Sequence, residues 1–114
     1  MNYELDNLDE DMLRIRLEGR LDAQGAQEIE APVTAAAAPV RRVIIDLEEV
    51  TYIASIGIRL LFTLARTASR RGGKLVITNP SPTVKSALTA TGVENVIPIA
   101  GSLDEARSLL PARA

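Results

Sequence analysis

Hydrophobic and polar positions change their period several times along this chain, and each change marks a new element. From Met12 to Leu21 they alternate, with Leu13, Ile15 and Leu17 on one face and Arg14, Arg16 and Glu18 on the other. That period of two predicts a strand with one solvated face. A shorter strand around Tyr3 to Leu5 is expected to pair with it through the acidic turn Asp6 to Asp11, as an edge hairpin. After Gly19, Asp22 stands where a helix N-cap belongs, and good helix formers run on to Ala38. Pro32 lies inside that run. Its ring removes one backbone hydrogen bond, which predicts a kink or a helix that starts late.

Arg41 to Leu47 reads as a strand covered on both faces, because Val43, Ile44 and Ile45 are consecutive and apolar. A short polar segment follows it. From Ile56 the period becomes helical: Ile58, Leu61, Phe62, Ala65 and Ala68 fall on one side, Arg59, Thr63, Arg66 and Arg70 on the other. Gly72-Gly73 ends that helix. Leu75-Val76-Ile77 gives another buried strand within Lys74 to Thr78. Ser81-Pro82 supplies a cap and an N1 proline for a helix from Thr83 to Thr91, closed by Gly92. Val96 to Ile99 reads as a short last strand, and Ser102-Leu103-Asp104-Glu105 as the capping box of a final helix ending near Pro111.

Strands alternating with helices in this order predict an α/β fold: a mixed, mostly parallel sheet of four to five strands with about four helices, the N-terminal hairpin being its antiparallel part. At 114 residues the chain has the length of one domain, 1–114. In such sheets ligands and partners are met where strands end and helices begin. The turn that follows Leu47 and ends at Ser55 and Gly57 is such a place.

Composition narrows the chemistry. The chain has no cysteine and no histidine. Disulfide frameworks, thiolate or imidazole metal sites and Ser-His-Asp or Cys-His catalysis are therefore excluded. I-A-S-I-G lacks the first glycine of a nucleophile elbow, and no histidine base exists to serve it. The acidic start and the lack of any run of about 18 apolar residues predict a soluble, cytoplasmic protein with no membrane partner. The net charge is only -2, but residues 1 to 49 hold twelve acids and five bases, whereas residues 50 to 93 hold six bases and no acid. The folded globule can interleave these charges to no effect. The sharper expectation is a basic patch around the central helix that meets an acidic partner. Nucleic acid is a weaker match, since the pI is about 5.1 and no aromatics are interleaved for base stacking.

The segments L-E-G-R-L-D, V-I-I-D-L-E-E-V-T-Y-I-A-S-I-G-I-R-L-L, G-G-K-L-V-I-T-N-P-S-P-T-V-K-S-A-L and G-V-E-N-V-I-P-I resemble a STAS domain of the bacterial anti-sigma factor antagonist type. The resemblance runs from about Met12 to Leu110, which it implies is the core of a single STAS-like domain. It implies a non-enzymatic regulator without cofactor or metal, which binds an anti-sigma factor serine kinase of the histidine-kinase-like ATP-binding fold while unphosphorylated. Phosphorylation on a serine releases it, and a metal-dependent serine phosphatase reverses the modification. Carried onto this chain, the acceptor of the family's D-S-S-G motif is Ser55 and the motif's glycine is Gly57. Asp22 matches an acid that lies near the phosphorylation site. The motif's aspartate is Ala54 here and its second serine is Ile56. Ala54 removes a fixed charge, and Ile56 offers an apolar contact that Leu60, near the edge of the helix stripe, can extend. Arg59 completes the expected partner-binding set.

The residues make physical sense of this. A serine opening a helix is exposed, and a phosphate on it faces free N–H groups and the positive end of the helix dipole. The modification adds about -1.5 to -2 charge, which repels an acidic or apolar partner surface without unfolding the domain. Plainer roles stand beside each assignment: Ser55 and Asp22 as simple N-caps, Gly57 as a close helix–strand contact, and Arg59 as part of a solvated face. Two other functions remain open, a constitutive STAS scaffold or interaction module and a STAS domain binding a small ligand or nucleotide. The second lacks a G-x-x-x-x-G-K loop.

Overall fold

The computed structural model describes residues 1–110. Its elements follow in the order β1 (Asn2–Asp9), β2 (Met12–Leu21), α1 (Ala23–Ala37), β3 (Arg42–Ile53), α2 (Ser55–Arg70), β4 (Lys74–Thr78), α3 (Pro82–Ala90), a 3-10 turn (Val93–Asn95), β5 (Ile99–Ala100) and α4 (Leu103–Leu109). The five strands lie in the sheet in chain order; β1 is antiparallel to β2, and β2 to β5 run parallel. The alternation anticipated from the sequence sorts the sheet into two faces. Leu13, Ile15, Leu17, Val43, Ile45, Leu75 and Ile77 pack with Ile29 and Val33 of α1, Leu61 and Leu64 of α2, and Val84 and Leu88 of α3. Met12, Ile44 and Val76 face the other way and are covered by Ala106 and Leu110. The consecutive apolar residues of β3 are thus buried on both sides.

Three sequence expectations need correction, and of the two alternatives for α1 one is excluded. The acidic turn is shorter than expected, Glu10 and Asp11 alone, because β1 runs to Asp9 and takes in Asp6 and Asp9; its register sets Glu4 opposite Arg16 and Asp6 opposite Arg14. These cross-strand pairs meet at 3.7 and 3.2 Å, which makes the charges favourable in a sheet. β3 does not stop at Leu47. It continues to Ile53 with burial at Leu47, Val50 and Ile53 and exposed pairs between them, a spacing of three created where its register against β2 shifts at Arg16/Glu18 and again at Gly19/Arg20. α1 starts directly after its cap and continues unbroken through Pro32, so the late start is not found. The last strand is Ile99–Ala100, and Val96 stands outside it, 65% exposed. The predicted helix end near Pro111 lies outside the described residues, in which α4 extends to Leu109.

Candidate functional site

β2 and β3 end side by side, with Leu21 opposite Ile53. The chain leaves β2 through Asp22 into α1 and leaves β3 through Ala54 into α2, so two helix N-termini open together at the C-terminal end of the sheet. The N–H of Ala54 donates to the Leu21 carbonyl at 3.0 Å. Each helix then presents a glycine in its first turn to the end of β2. A Cβ on Gly25 would lie 2.1 Å from the Arg20 carbonyl oxygen, and one on Gly57 would lie 2.6 Å from both the Leu21 oxygen and Cγ. Any side chain at either position would push the helix off the strand. Gly57 is buried, and the close approach it permits is to Leu21 inside the molecule, so of the two roles open to this glycine the plainer one, a close helix–strand contact, is the one found.

Asp22 caps α1 by accepting from the Gly25 N–H at 2.9 Å. That hydrogen bond, assisted by Arg20 at 3.4 Å and opposed by partial burial, holds its carboxyl below the usual carboxylate range. The Arg20 guanidinium in turn lies 4.4 Å from the centre of the Tyr52 ring. A cation over an aromatic face is attracted by the ring quadrupole, so Arg20 and Tyr52 hold each other at the strand ends.

The next junction is built differently. The residue at the N-cap of α2 is Ala54, in extended backbone and with no side chain to accept from the first turn. Ser55 is therefore one position inside the helix, so its predicted alternative role as the cap is ruled out. It is exposed, and its hydroxyl has no hydrogen-bond partner among the described residues. Asp22, Ser81 and Ser102 cap α1, α3 and α4. Among the described residues α2 alone of the four helices lacks a side-chain cap, leaving its first-turn N–H groups open. Ile56 follows, 43% exposed, and Arg59 lies one turn on, also exposed. Leu60, expected to extend this surface, is only 6% exposed and belongs to the core, because it projects toward the sheet side of the helix.

The STAS domain family profile matches residues 5–106, nearly the whole chain. This chain belongs to the STAS domain family. By sequence it is 30% identical over 107 residues to the protein named "Putative anti-sigma factor antagonist BtrV" of Bordetella bronchiseptica, covering 93% of this chain and 91% of that one. By structure it is similar to the anti-sigma factor antagonist SpoIIAA in its unphosphorylated form, with a TM-score of 0.78, 26% identity and 92% coverage of both chains. The phosphorylated form of SpoIIAA, described as a Bacillus cell fate determinant, superimposes with a TM-score of 0.71 at 25% identity, covering 92% of this chain and 96% of that one. The family and the α/β fold read from the sequence are those found.

Within this STAS domain the structure brings Asp22, Ala54, Ser55, Ile56 and Arg59 to one end of the sheet and removes Gly57 and Leu60 from the accessible set. Sequence reasoning missed Tyr52 and Arg20. Tyr52 is 40% exposed on the strand that leads to Ser55. Its place could not be read from a period of two, because the register shifts of β3 set two exposed residues between each buried pair.

Proposed function

We propose that this STAS domain is an anti-sigma factor antagonist of a partner-switching pathway, with Ser55 as the switch. The observation that carries this reading is the exposed hydroxyl of Ser55, unbonded among the described residues, in the first turn of α2, the one helix among them without a side-chain cap. A phosphate on Ser55 meets the open N–H groups of that turn, which offset its charge and leave the fold intact. The same phosphate stands beside Ile56 and disfavours any partner surface that must pack against that apolar side chain. In the unphosphorylated form Ile56 and Arg59 supply an apolar and a cationic contact. The partner in this reading is an anti-sigma factor serine kinase of the histidine-kinase-like ATP-binding fold, and a metal-dependent serine phosphatase resets the switch.

Paired substitutions test this. Ser55→Ala is expected to hold the kinase-type partner persistently and Ser55→Glu to bind it at least about tenfold more weakly, with both variants folded. Calorimetry with a partner recovered on the Ser55→Ala form measures the difference, and equal affinities would reject the switch. A second reading, a constitutive STAS interaction module, is favoured by Ala54 and Ile56, which replace the charged and hydroxyl residues of the family's phosphorylation motif. Mass spectrometry after incubation with that partner and ATP separates the two: a phosphate on Ser55 supports the switch, and its absence the module.

A further inference from the structure

A second surface lies farther along α2. Phe62, Ala65, Arg66 and Ser69 on the flank of the helix, Lys74 and Leu75 at the start of β4, and Val96 beyond the 3-10 turn line an open groove of about 340 Å³. Its floor is apolar: Leu75 is buried, Phe62 and Ala65 pack partly on the core, and Val96 is the most exposed large hydrophobic residue among those described. Its rim is cationic, with Arg66 and Lys74 both exposed. Those cations are uncompensated. All six ion pairs among the described residues are made within residues 1–46. Arg59, Arg66, Arg70, Arg71, Lys74 and Lys85 have no carboxylate partner there, and Glu94 is the only acid between residues 50 and 103.

We propose that this groove docks a short acidic, amphipathic helical segment of a partner protein, with its apolar side chains on Phe62, Ala65 and Val96 and its carboxylates on Arg66 and Lys74. Phe62 to Ser69 covers eight residues of α2, a rise of about 10 Å, the length of two turns of a docked helix. The apolar floor distinguishes a protein segment from a purely ionic ligand, since carboxylates alone would leave Val96 in water. A second copy of this chain is a poorer fit. Its acidic strand β1 already spends Glu4 and Asp6 on Arg16 and Arg14, and a groove-to-edge contact would be open-ended rather than closed. The groove does not depend on the Ser55 switch, because Arg66 lies eleven residues, about 16 Å, along the helix from Ser55.

The test is an NMR titration of the full chain, labelled with nitrogen-15, with a synthetic helical peptide carrying leucines at i, i+3, i+4 and i+7 and glutamates elsewhere. Amide shifts are expected at Ala65, Ser69, Lys74 and Val96. Arg66→Glu combined with Lys74→Glu should weaken binding at least about tenfold, and Val96→Asp, at a solvated position that leaves the fold intact, at least about fivefold. Ser55→Glu should change it less than about twofold. Absence of shifts at the groove would overturn the proposal, as would equal binding of a peptide with serine for leucine or lysine for glutamate. So would two competing results: phosphatidylserine vesicles displacing the peptide in a manner lost with the same charge variants, or self-association in sedimentation that those variants abolish.

Discussion

Ile56 occupies the second position of α2 with 43% of its surface in water, next to a serine whose hydroxyl is unbonded. An exposed apolar side chain at a helix start contributes little to stability, so substituting it separates binding from folding. Ile56→Asp is expected to lower affinity for the Ser55 partner at least about tenfold while keeping stability within about 0.5 kcal/mol, since an acid in a first turn also suits the helix dipole. Urea unfolding alongside the binding assay checks both, and a loss of several kcal/mol would return Ile56 to the core. The neighbouring residues were legible to different degrees. Ser55 and Asp22 could be named from a strand handing over to a helix. The local pattern misplaces Leu60 as a surface contact, because it sits at the margin of the helical stripe and only the packing of α2 on the sheet turns it inward.

At the scale of the element, α2 is fixed to β2 through its first turn. The Cβ of Gly57→Ala would stand 2.6 Å from the Leu21 carbonyl oxygen, a backbone atom that cannot swing aside. The start of the helix must move, and the expected cost is about 1–3 kcal/mol, larger than the roughly 0.5–1 kcal/mol that alanine gains in helix propensity. A shift of the urea midpoint measures it, and an unchanged midpoint would show that the junction has slack. Ala54→Asp should act in the opposite sense. A carboxylate at the N-cap can accept from the open first-turn N–H groups, with an expected gain of about 0.5–2 kcal/mol in the same assay. No gain would mean that those groups are already satisfied by solvent. The strands show where local patterns fail. β2 was readable because its alternation is clean, whereas the second half of β3 was not, because its register shifts against β2 replace a period of two with one of three.

Across the molecule, the ion pairs among the described residues all fall within residues 1–46, and the bases of α2, β4 and α3 face solvent without a carboxylate partner there. Exposed ion pairs are each worth about 0–1 kcal/mol and are screened by salt. Raising sodium chloride from about 0.05 to 0.5 M is therefore expected to shift the unfolding midpoint little, while it weakens the docking of an acidic peptide on the α2 groove about tenfold or more. A large loss of stability at high salt would instead make the N-terminal pairs a main support of the fold. The sequence by itself determined the succession of elements, the two-sided burial of the central strands and the separation of acidic from basic stretches, because hydrophobic period, caps and charge are properties of neighbouring residues. Only the tertiary structure decided that the starts of α1 and α2 converge on the end of β2, that Gly57 and Leu60 face inward while Ile56 faces out, and that Val96 lines one groove with the flank of α2. Those relations depend on strand register and on contacts between residues tens of positions apart, which no local pattern encodes.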